Sequence, residues 1–99
     1  MAKVHNIIPQ TRLVSSVALD LTDWTFTQAQ IDGADNITLT TDEPIRYLAT
    51  GTPTATFGHI VGANETVVFR GAGLKTLQFI KEGATDANVT IEIDTFLTV

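Results

Sequence analysis

The stretch that decides the fold is Val89-Thr-Ile-Glu-Ile-Asp-Thr-Phe-Leu-Thr-Val99. Val89, Ile91, Ile93, Leu97 and Val99 share one parity, and Thr90, Glu92, Asp94 and Thr98 take the other. A period of two is the signature of a strand with one face in a core and one in water. The same period recurs upstream. Val17, Leu19 and Leu21 alternate with Ala18 and Asp20, Trp24 and Phe26 with Thr25 and Thr27, and Ile37 and Leu39 with Thr38 and Thr40. Shorter runs follow at Ile45, Tyr47 and Ala49, at Val67 and Phe69, and at Leu77 and Phe79. No window sustains a helical apolar stripe, although residues 23–31 and 71–81 have room for a turn of helix.

Turn chemistry separates these runs at Asp32-Gly33, Asp42-Glu43-Pro44, Gly51-Thr-Pro53, Gly62-Ala-Asn64 and residues 83–88. Strand centres about 8 to 12 residues apart suggest a sandwich, jelly roll or barrel. The expectation is an all-β, single-domain antiparallel β-sandwich or jelly-roll-like fold of seven or eight strands over residues 11–99, with an extended N-terminal arm over residues 1–10. The arm is read from Val4, Ile7 and Ile8, which are apolar without alternation, and from Pro9, which cannot sit in a central strand. Trp24, Leu39, Val67, Phe79, Ile91 and Ile93 are the expected core.

At 99 residues the chain has the size of one domain, and a domain this small has a thin stability margin. It has no Cys, so disulfides and thiolate metal sites are excluded, and any reinforcement the core needs must come from oligomerisation or from a partner. Charged residues make up 17%, against roughly 25% in average domains, and 17 residues are Thr. Low charge and abundant Thr favour neutral contact surfaces. A net charge of −5, with six dispersed Lys and Arg residues, argues against a nucleic-acid partner. The first residues lack the apolar run of a secretory signal, and no stretch approaches membrane-spanning length, so no membrane partner is expected.

The search for chemistry returns little. Ser15 and Ser16 lie outside any nucleophile elbow, and His5 and His59 belong to no triad spacing. Asp32-Gly-Ala-Asp-Asn36 is acidic but lacks the spacing and terminal Glu of a calcium loop, and reads as a turn. Trp24, Phe26 and Tyr47 would suit a sugar-stacking platform if exposed, but large aromatics at strand parity fill cores. Asn36, Asn64 and Asn88 fit the glycosylation pattern, as Asn does by chance in a Thr-rich chain. The expectation is a protein that is not an enzyme and has no cofactor or metal.

From Ile45-Arg-Tyr47 through Gly51-Thr-Pro-Thr-Ala-Thr56, Gly58, Glu65-Thr66, Leu77-Gln-Phe-Ile80 and Gly83-Ala-Thr-Asp-Ala87, the order of motifs resembles the small β-rich virion proteins of tailed bacteriophages. Among these, the capsid decoration, or cement, proteins are the group it is most similar to in style, over roughly the C-terminal half. The resemblance implies a β-sandwich on the capsid surface of the virion, bound to the major capsid protein. Such a protein forms homo-oligomers, often trimers at local three-fold positions. A tail, neck or baseplate protein, or a carbohydrate-binding adhesion domain, are the alternatives. The expected interaction residues are Val4, Ile7, Ile8 and Pro9 of the arm, with Thr54 and His59.

Overall fold

The computed structural model describes the backbone of residues 3–70 and 72–98 and the side chains of residues 9–70 and 74–94. Within these bounds the chain forms β1 (Lys3–Val14), β2 (Leu19–Asp20), α1 (Gln28–Asp32), β3 (Ala34–Thr41), β4 (Ile45–Leu48), β5 (His59–Val61), β6 (Thr66–Arg70), β7 (Gln78–Lys81) and β8 (Ala87–Thr98). Short 3-10 turns occupy Leu21–Asp23 and Ala72–Thr76.

The strands make two four-stranded sheets of order β1-β8-β3-β6 and β2-β7-β4-β5, here sheet 1 and sheet 2, and every neighbouring pair is antiparallel. The pairing is concentric: β1 with β8, β2 with β7, β3 with β6 and β4 with β5. This is the topology of a jelly roll, a long hairpin folded over into two layers. The layers close on one core in which Ile37, Leu39, Ile45, Val61, Phe79, Ala87, Val89, Ile91 and Ile93 are buried. Of the expected core, Val67 alone among those six is half-buried, packed against the cluster from the edge strand β6.

The alternating signal overreached where backbone is extended but unpaired. Only Leu19 and Asp20 of the Val17–Leu21 run pair with β7, and Val17 stands in solvent. Trp24 and Phe26 are buried, yet they belong to the connection between the 3-10 turn and α1. Reciprocal side-chain caps hold the two helical turns, Asp20 with Asp23 and Thr27 with Gln30. Between them Trp24 packs edge-on against Phe79, with ring centroids 5.6 Å apart, and its indole N–H donates to the Val89 carbonyl at 3.3 Å. Alternation reports that one side of an extended segment is covered; it does not report a neighbouring strand.

The boundary expected after residue 10 has no counterpart in the strand bounds. β1 runs through it, in unbroken register from Lys3 opposite Thr98 to Val14 opposite Ala87. Two physical reasons hid this strand. As an edge strand β1 has a single neighbour, so Pro9 can turn its missing donor outward. The parity that faces the core carries Gln10, half-buried, and Arg12, exposed, before Val14 is finally buried. Pairing of β8 with β3 ends at Thr95, so residues 96–98 of β8 continue with β1 alone as a two-stranded ribbon. The molecule is accordingly elongated, 49 × 24 × 19 Å.

The outer face of sheet 1 is open and Thr-rich. Thr11, Thr90, Thr40 and Thr66 stand side by side across all four strands, with hydroxyl contacts of 2.8 Å between Thr11 and Thr90 and 3.3 Å between Thr40 and Thr66. At the corner where the chain leaves sheet 1 for sheet 2, the Asp42 carboxylate accepts from the Asn88 backbone at 2.7 Å and from its side chain at 3.0 Å.

Candidate functional site

The outer face of sheet 2 is covered. Arg46 projects outward from β4, in register with Ile60 of β5 and Ile80 of β7. Its Nε donates to the Ala55 carbonyl at 3.1 Å and its Nη1 to the Gly58 carbonyl at 3.0 Å, while Nη2 lies 3.7 Å from Glu82 Oε1. These bonds fold the β4–β5 connection, residues 49–58, back over the sheet. Reciprocal backbone bonds between Thr54 and Phe57, 2.9 and 3.2 Å, close its tip, and the Thr76 hydroxyl donates to the Ala49 carbonyl at its root. Gly58 is required here: its φ is +138°, and a Cβ would lie 3.2 Å from Arg46 Cβ and from the Tyr47 carbonyl oxygen.

Beneath the loop lies a pocket of about 410 Å³ walled by Ser16, Ala18, Pro53, Thr54, Ile80 and Lys81, among others. Its walls are mainly carbon. The Lys81 ammonium is engaged elsewhere, at 3.1 Å from Asp86 Oδ1 and 3.3 Å from the Ala84 carbonyl. Ile80 points to the outer side of its sheet and is still only 7% exposed, because loop and pocket walls cover it. The two segments that form the walls, residues 16–18 and 52–55, run directly into the most exposed large apolar side chains described, Val17 at 67% and Phe57 at 64%. Ile60, on the same outer face, is 55% exposed. The loop itself, Ala-Thr-Gly-Thr-Pro-Thr-Ala-Thr-Phe-Gly, contains no charge. Such a surface can be covered by a partner with little desolvation penalty.

The sequence-based interaction residues divide between two places. Thr54 lines the pocket. His59 lies nearby in sequence but on the opposite parity of β5, exposed, with its ring 5.3 Å from that of Tyr47. Val4, Ile7 and Ile8 oppose Leu97, Asp94 and Ile93 in the other sheet, and their side chains lie outside the described residues; Pro9 is exposed on that sheet's edge. Their backbones therefore belong to two different sheets or the loop over one of them. Arg46, Phe57, Val17 and Ile80 were not singled out. Two signals pointed to them: Phe57 is an aromatic stranded in a turn-rich segment, and Phe79-Ile80 places consecutive apolar residues where one face was expected to be wet.

Other candidates resolve into structure. Asp32 closes α1 and accepts from Gln28, Gly33 follows as its cap, and Asp35 sits at a register shift opening β3. Trp24 and Phe26 are buried, so the sugar-stacking platform does not exist as a surface. Among the described residues no three His, Asp or Glu side chains gather to hold a metal, and no helix is long and apolar enough to cross a membrane. No protein-family model, curated protein or solved structure matches the chain.

Proposed function

We propose that this protein is a non-catalytic contact module of a phage virion, a decoration protein that attaches to the outside of the assembled head and reinforces the contacts between major capsid protein subunits. The observation that carries the reading is the uncharged loop 49–58, bearing exposed Phe57 next to an apolar pocket, with exposed Val17 set between two residues that line it. A partner that covers Phe57 and Val17 fully gains about 1.5 to 3 kcal/mol from each. Jelly rolls serve viral capsid proteins, lectins and cupins alike, so the surface and not the fold carries the argument. A lectin built on Trp24 and Phe26 would need those rings exposed, and they are buried; a cupin-type centre would need a metal-ligand cluster, of which the described residues hold none.

The test is retention on purified capsids that lack the native copy. The Val17→Asp/Phe57→Asp double variant should lose retention while its melting temperature changes little, because both side chains are already in water. If the unaltered protein binds no capsid, the decoration reading falls and a place in the tail, neck or baseplate takes its position. If the double variant binds as well as the original, the contact surface lies elsewhere.

A further inference from the structure

The two edges of sheet 1 differ in a way that selects a partner. The β1 edge is guarded: Pro9 removes a donor from it, and Arg12 occupies a core-facing parity while remaining exposed. Both devices discourage another strand from adding there. The β6 edge has neither. Thr66-Val-Val-Phe-Arg70 contains no Pro, Gly or Lys, pairs with β3 through five consecutive positions without a bulge, and carries Val68 49% exposed on its outer side. Among the described residues no other segment pairs with it. The edges of sheet 2, β2 and β5, have only two and three residues.

We infer that β6 is the site at which a second copy of this chain adds edge to edge, antiparallel across a two-fold axis at Val68, joining two copies of sheet 1 into one continuous sheet. In this register Val68 meets the second copy's Val68, half-buried Val67 meets Phe69, and Thr66 meets Arg70. The β-branched and aromatic pairs are favourable cross-strand neighbours. Charge selects the antiparallel sense. Exposed Arg70 ends the strand, and a two-fold pair sets it opposite the neutral Thr66 of the other copy. A parallel pair would set like against like. Such an interface is isologous and closes at two copies. On a shell it matches local two-fold axes, not the three-fold positions that trimers occupy. The inference stands apart from the capsid reading because it concerns the free protein.

Sedimentation velocity over a concentration series reaching the millimolar range tests it. The mass should rise to that of two chains. Val68→Lys, which sets two ammonium groups against each other across the axis, should weaken association about tenfold or more. Should a variant fail to fold, hydrogen exchange on the unaltered protein decides, since amides of residues 66–70 should slow with rising concentration while those of β1 do not. A chain that stays monomeric throughout, assembles as a trimer, or dimerises equally well with Val68→Lys would overturn the proposal.

Discussion

Sheet 1 and sheet 2 share a core but divide the work of the molecule. Sheet 1 is built from strands of 12, 12, 8 and 5 residues and leaves a threonine-rich face in water, with Leu13 and Val68 exposed near its edges. Sheet 2 has strands of 2, 4, 4 and 3 residues and lies beneath a loop as long as its three longest strands are together, near enough. Regular backbone ladders order the first sheet. The second depends on side chains, above all on one arginine that holds the loop by two carbonyls. The lesson is that order and irregularity were separated: the long ladders give a frame, and the irregular connection on the short sheet carries Phe57 and roofs the apolar pocket.

Breaking the shared core should have the largest effect. Ile91→Ala, at the centre of β8 and fully buried, should cost about 2 to 5 kcal/mol, read from urea or thermal unfolding. Both sheets should melt together, because β8 lines the core between them. Sheet 2 should fail locally in a second variant. Arg46→Met keeps the stem and removes the two loop bonds, and should cost about 1 to 3 kcal/mol. Proteolysis within residues 52–57 should accelerate, while amide exchange in sheet 1 should change little.

Acid probes the corner that joins the sheets. Hydrogen bonds from the Asn88 side chain and then its backbone hold the Asp42 carboxyl below its ordinary range. The unfolded chain therefore takes up this proton at higher pH than the folded one. The contribution is present above the ordinary Asp value of about 4 and is lost as pH falls through the lower folded value. Asn88→Ala should flatten that part of the acid limb in pH-dependent melting curves. An unchanged acid limb would show that the corner bond does not contribute. The smallest effect belongs to the bare face. Thr40→Val, exposed in the threonine row, should change stability by no more than about 0.5 kcal/mol, measured by the same melts.

Much of sheet 1 was legible because its strands are long and its inner positions uniformly apolar, as Ile37 and Leu39 or Val89, Ile91 and Ile93 show. β1 was not, because an edge strand needs few buried residues and tolerates Pro9, Gln10 and Arg12. Thr54 was the one interaction residue that falls in the pocket. The rest of that site escaped because its makers look ordinary in sequence. Arg46 reads as any outward residue of a strand, and nothing in its neighbours states that residues 55 and 58 will supply the carbonyls it holds. Loop conformation is decided by contacts distant from parity.

The concentric pairing has a kinetic consequence. β8 lies between β1 and β3, so until residues 87–98 have left the ribosome the strands that will flank them have no middle. β1 must wait for a strand more than seventy residues downstream, judged from the register of Val14 with Ala87. Contacts this distant along the chain make folding slow, and they leave the segment Thr66-Val-Val-Phe-Arg70 among the exposed strands of the unfinished chain. A nascent copy should therefore depend on chaperones until β8 arrives, and then close both sheets in one cooperative step.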